Sequence, residues 1–361
     1  MSSPLASTKI SPMEVDDHGL LIHEPDPIQA EGRSEALPLT PVDKLFRRDN
    51  LPPPPPSDGW ELALEGVANP ATFTVPDLVE ALRPVDMTAV LQCAGNGRGL
   101  LADRPSGTPW GTGAAANLRW SGVAVADLVD LAGGANDGAR FLTALGADAA
   151  PDDPKRVERS VPLHAGVERG VLAFGLNGEP LPTEHGGPVR LVIPGYFAVN
   201  SVKWVVTLAL TAEESDAEIQ TLRYRLTQPG AVPAPNDPSC WEMPVKSWVT
   251  SPDPGAVVSP TVEVEGVAFS GAGTVTTVEV TADGGKTWQH AVLGPSAGPA
   301  SWRTFSATLE LGDRGWKIAS RAHDSSGSVQ PARSNADRNG YAVNGWLDHT
   351  VAVSVEPTFI R

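Results

Sequence analysis

At 361 residues the chain is long enough for two domains with a sizeable core, and 36 glycines, 35 prolines and 41% apolar residues point to a loop-rich protein weighted to sheet. The net charge of −16 argues against a nucleic-acid binder and leaves any anion site to a local pocket of arginines inside a repelling surface. Two cysteines 147 positions apart and seven scattered histidines offer no disulfide framework, Cys-x-x-Cys pair or His-x-x-x-His pair, which disfavours an all-protein metal site but not a metal carried by an organic cofactor that needs a single protein sulfur.

Residues 1–40 are polar and poor in aromatics, and are expected to wrap or trail as an extended segment. Phe46-Arg47-Arg48-Asp49-Asn50 then sets two arginines ahead of a proline run, which alone reads as a solvated corner. Trp60–Val67 is strand-like. Thr74 and Asp77 form a capping-box pair opening a short helix with Leu78, Val79 and Leu82 on one face. The apolar run Met87–Leu91 delivers Cys93 to Gly95-Asn96-Gly97-Arg98-Gly99, a turn with free backbone amides and an arginine five residues beyond the thiol. Two blander readings compete: a cysteine packed as a small hydrophobe, or a dinucleotide loop, which lacks the right third glycine and the acidic residue about twenty positions on.

Trp110-Gly111-Thr112-Gly113 leads into Ala114–Trp120. Val125, Leu128, Val129 and Ala132 repeat at helical spacing until Gly133-Gly134. Phe141–Asp148 reads as a strand ending in a carboxylate. His185 and Arg190 flank Gly186-Gly187, which lets backbone approach a ligand while both cations point at phosphate. Ser201-Val202-Lys203 adds an amide pair and a lysine. Tyr224 follows; its phenol can donate to an anionic oxygen and pass protons while uncharged. Residues 228–237 have linker composition. Beyond them Thr261–Val264, Val278–Val280, Lys286–Trp288, Phe305–Leu309 and Val351–Val353 alternate at period two, with Asp283-Gly284-Gly285 as a hairpin turn, a pattern that predicts an immunoglobulin-like sandwich. Cys240 is expected to pack quietly ahead of it.

Leu91-Gln92-Cys93-Ala94-Gly95-Asn96 resembles the cysteine motif of the sulfite oxidase family of molybdenum enzymes, and the segments around Arg48, Trp110, His185, Lys203 and Tyr224 match the family in the same order along nearly the whole chain. The resemblance implies an α+β molybdopterin-binding domain over residues 41–235 and an all-β immunoglobulin-like dimerisation domain over 236–361. It implies molybdenum bound by Cys93 and by a molybdopterin held by Phe46, Arg47, Arg48, Asp49, Asn50, Asp148, His185, Arg190, Ser201, Val202 and Lys203. Asp152 and Asp153 compete with Asp148 for one of these places. Asn50 stands where many relatives carry His, and Gly97 where many carry Arg. Substrate contacts would come from Arg48, Arg98 and Arg338, with Tyr224 and Trp110 completing the pocket.

The implied reaction is oxidation of sulfite to sulfate by oxo transfer, for which a cationic pocket desolvates and positions a small dianion. His185-Gly186-Gly187-Pro188 is not a haem loop and no Cys-x-x-Cys-His occurs, so electrons would pass to an external acceptor, dioxygen or a cytochrome. The alternatives are sulfane sulfur or nitrate chemistry on the same cofactor, or a non-enzymatic binding module. A homodimer is expected. With neither leader nor apolar span visible, the expected location is the cytoplasm, or the periplasm if a leader has been removed.

Overall fold

The strand Pro84–Gln92 pairs antiparallel with Ala115–Ala124 along its whole length, and its last four residues are buried. In this computed structural model, which describes residues 14–55, 59–148, 152–312, 315–335 and 337–356, the sheet continues through Val171–Leu176 to Glu179–Pro180, with Arg190–Val192 also on Val171–Leu176. A second sheet runs Glu158–Pro162, Phe141–Gly146, Val205–Thr211, Glu61–Glu65, Ala71–Thr74; only the pairing of Val205–Thr211 with Glu61–Glu65 is parallel. The main core draws Leu64, Val90, Leu142, Leu172 and Leu208 from both sheets.

The helix Val75–Ala81 begins with the predicted capping box: the Thr74 hydroxyl accepts from Asp77 N–H and the Asp77 carboxylate accepts from Thr74 N–H. Leu78 is buried, but Val79 is 52% exposed, so the expected three-residue apolar face is narrower. The helix Val125–Leu131 buries Val125, Leu128 and Val129 and is followed by Gly133 and Gly134, both at positive φ.

Residues 1–13 lie outside the described residues, but the rest of the expected trailing segment is built into the fold. Leu21–Pro25 and Ile28–Glu31 form a hairpin whose second strand pairs with Arg47–Arg48. Its docking is polar: both Glu31 oxygens accept backbone amides, from Gly111 and Gly113, at 2.8 and 2.9 Å. Apolar periodicity carries no trace of such a contact.

The C-terminal part is a two-sheet, immunoglobulin-like sandwich. One sheet runs Lys246–Ser251, Thr261–Phe269, Arg303–Glu310, Val292–Leu293; the other runs Val257–Val258, Val351–Val355, Trp316–Asp324, Val275–Thr281, Gln289–His290. Alternate residues such as Val262 and Val264, Phe305 and Ala307, and Val351 and Val353 fill the space between. The strand expected at Lys286–Trp288 is instead Gln289–His290, because the Asp283 carboxylate accepts the Lys286 and Thr287 amides and prolongs the turn. No helix among the described residues is long and apolar enough to cross a membrane.

Candidate active site

The strand ending at Gln92 hands Cys93 to a closed turn. Cys93 N–H donates to Ala114 O, Asn96 N–H returns to Cys93 O at 3.0 Å, and Gly97 takes a φ of +94° that favours glycine. Cys93 is half-buried and opens on a cavity. Phe46 and the strand Arg47–Arg48 contribute to the cavity wall, with Asn50 just beyond; Asp148 comes from just past the end of Phe141–Gly146. The rest of the wall comes from His185, Arg190, Ser201, Val202, Lys203 and Tyr224.

Arg190, His185 and Lys203 form one knot. Arg190 donates to the carbonyls of Ser201 and His185 at 3.1 and 2.9 Å, and its guanidinium lies over Trp120. Lys203 pairs with Asp49, donates to Glu184 O, and has its ammonium 4.2 Å from the Trp204 ring centre. Gly186, at φ +109°, abuts Lys203, where an added Cβ would lie 3.0 Å from the Lys203 Cβ. Burial, with Arg190, Lys203 and Arg47 close by, lowers His185 to about 3, so its imidazole is neutral. Burial also lowers Lys203 to about 8 against the pull of Asp49, and Arg190 to about 10. Burial raises Asp148 to about 7 although Lys203 opposes it.

At the cysteine, Arg48 donates to the Asn50 side-chain oxygen. Burial works against the Arg48 charge, but Tyr224, Cys93, Tyr341 and Asp49 outweigh it and raise the guanidinium further. Tyr224 sits at φ +51°, a strained backbone for a non-glycine, and stacks on Tyr341 at 5.3 Å.

Four expected site residues do not line this cavity. Asp49 is buried behind it as the partner of Lys203 and Arg47. Trp110 is 1% exposed and packs edge-on against His23 under the N-terminal hairpin, because Glu31 ties the adjoining glycine loop to that hairpin. Arg98 is buried, donating to Asn339 O and Thr108 O at 2.6 and 3.0 Å with its guanidinium over Tyr341; backbone carbonyls satisfy the charge that was expected to face an anion. Arg338 donates to Ala231 O at the surface, while its neighbour Asn339 makes the inward contact. Tyr341 is the group sequence reasoning missed: one of only three tyrosines, it stood in a segment already singled out for its arginine.

The polar groups in and behind the cavity wall fit a phosphorylated, polar ring system. Asp49 Oδ2, Asp148 Oδ1 and Arg47 Nε are buried without a hydrogen-bond partner, and the wall carries Arg47, Arg48, Arg190 and Lys203 against Asp148 and Glu184. Residues 50–219 match the family model described as oxidoreductase molybdopterin binding domain, and residues 237–356 the Mo-co oxidoreductase dimerisation domain. The chain is 34% identical over 338 residues to sulfite oxidase of Gallus gallus, covering 87% of this chain and 73% of that one. The chain belongs to the sulfite oxidase family. Sulfite oxidase of Arabidopsis thaliana is 28% identical over 347 residues, covering 86% of this chain and 88% of that protein. The sulfane dehydrogenase SoxCD of Paracoccus pantotrophus superposes with a TM-score of 0.77 at 27% identity, covering 99% of this chain and 90% of that one. Membership of the family makes the protein a molybdopterin oxidoreductase whose cofactor is molybdenum carried by molybdopterin.

Proposed function

We propose that the protein oxidises sulfite to sulfate and passes the electrons to a separate acceptor, a cytochrome or dioxygen, as a homodimer joined through residues 237–356. One observation carries this reading: a single cavity holds Cys93, Arg48 and Tyr224 together with the knot of His185, Arg190 and Lys203. When bound, molybdenum on its pterin supplies oxo transfer and two-electron redox chemistry. Cys93 would give the protein's one sulfur ligand. Arg190, Lys203 and Arg47 would hold the phosphate, neutral His185 would donate one hydrogen bond, and Asp148 and Asn50 would meet polar edges of the ring. Arg48 would hold the oxyanion while the Tyr224 hydroxyl donates to its oxygen.

Cys93→Ser tests the assignment through pterin content, molybdenum coordination and sulfite-dependent ferricyanide reduction. Pterin is expected to remain while turnover falls below detection; wild-type turnover in that variant removes Cys93 from the centre. A second reading, oxidation of sulfane sulfur, draws support from Arg98 and Arg338 lying off the cavity, which leaves Arg48 as the one arginine beside Cys93 and Tyr224 from the expected substrate set. A substrate with less charge than sulfite needs fewer cations. Comparing kcat/KM for sulfite and for a protein-bound persulfide separates the two.

A further inference from the structure

We propose that Lys246, from the first strand of the C-terminal sandwich, is a positioning residue for the cysteine turn: it fixes Asn96 and puts a positive charge behind the sulfur of Cys93. The inference rests on Cys93 being the metal's protein ligand. Lys246 is 1% exposed, and its ammonium donates to the Asn96 carbonyl at 3.1 Å and to the Asn96 side-chain oxygen at 2.7 Å, across the boundary between the domains. The Asn96 side-chain amide donates onward to Thr112 O, and its backbone N–H closes on Cys93 O. The rest of the turn is gripped from the same side. Ala342 N–H donates to Ala94 O at 2.9 Å, and Gly97 leaves room for His349 and Val343, which a Cβ there would meet at 3.0 and 3.2 Å.

Burying an ammonium costs several kcal/mol unless an anion compensates it. Among the described residues no carboxylate pairs with Lys246; the Trp248 ring lies 5.3 Å from the ammonium. Burial lowers Lys246 to about 7, and Cys93 is the one group whose charge opposes that. A negatively charged sulfur ligand at Cys93 would supply that counter-charge, and the cation would in turn favour the reduced, more negative state of the metal it binds.

Two substitutions separate charge from hydrogen bonding. Lys246→Gln keeps a donor toward Asn96 without the charge, and Lys246→Met keeps the apolar stem alone. With metal and pterin content measured in parallel, both variants are expected to shift the metal's reduction equilibrium about tenfold toward the oxidised form, about 59 mV lower for a one-electron step. A metal-loaded Lys246→Gln protein with the wild-type potential overturns the proposal, and it serves alone if Lys246→Met does not fold. Because potential is read on the bound metal and not on turnover, this result is independent of which sulfur compound is oxidised. Loss of the Cys93 assignment would show separately, in the coordination of Cys93→Ser.

Discussion

Arg48 and Arg98 are both arginines near one thiol, yet the fold uses them differently. Arg48 lines the cavity with its charge turned toward Tyr224 and Cys93, whereas Arg98 spends two N–H groups on backbone carbonyls. A charge-assisted hydrogen bond is worth roughly 1.5–3 kcal/mol, so Arg48→Gln should lower kcat/KM for the sulfur substrate by about ten- to a hundredfold. Arg98→Gln should instead lower the stability read by denaturant unfolding by roughly that energy for each carbonyl left unpaired, with a smaller effect on kcat/KM. An Arg98→Gln protein of full stability and strongly reduced kcat/KM would return Arg98 to the substrate. Motifs shared with the family, rather than residue type or spacing alone, announced both arginines, and the same motifs hold His185, Arg190, Ser201, Val202, Lys203 and Tyr224, which line one cavity wall. They could not say which way a guanidinium turns, because the Arg98 carbonyl partners lie 10 and 241 residues away.

At the scale of elements, the pairing of Ile28–Glu31 with Arg47–Arg48 holds two cavity arginines in place. The hairpin's anchor is Glu31, with Gly111 and Gly113 amides on its two oxygens and His23 beside it. Glu31→Ala leaves two amides without their acceptor, a loss of roughly 1–3 kcal/mol each, and should open the hairpin to limited proteolysis ahead of global unfolding. Unchanged cleavage would mean the apolar contacts of Leu20 and Ala30 suffice. Most of the sandwich strands and the helices Val75–Ala81 and Val125–Leu131 were legible because burial there follows period two or 3.6, whereas Leu163–Arg169, a helix of the same length, was not anticipated. The hairpin was not, since its sequence is polar and its partners are backbone amides some eighty residues on.

For the whole molecule, buried titratable groups set the response to acid. His185 and His349 are both held near 3, chiefly by burial, so an unfolded chain protonates them from about pH 6.5 downward while the folded one does not. That costs stability as pH falls. Asp148 acts in the opposite sense: raised to about 7, it is already protonated in the folded state between pH 6 and 5, where the unfolded carboxylate is not. Together these three groups leave a net excess of about one proton on the unfolded chain, so cofactor-free protein should lose about 1.4 kcal/mol per pH unit across that window. Asp148→Asn should double the slope; a flat profile in both proteins would contradict the burial of the two histidines.

The groups that finish the cysteine turn, Lys246, Asn339, Ala342 and His349, all belong to the last third of the chain. During synthesis the thiol emerges long before the parts that orient it. A nascent chain stopped anywhere short of residue 349 lacks one of these groups, so the turn around Cys93 is expected to take its final form only as translation nears its end.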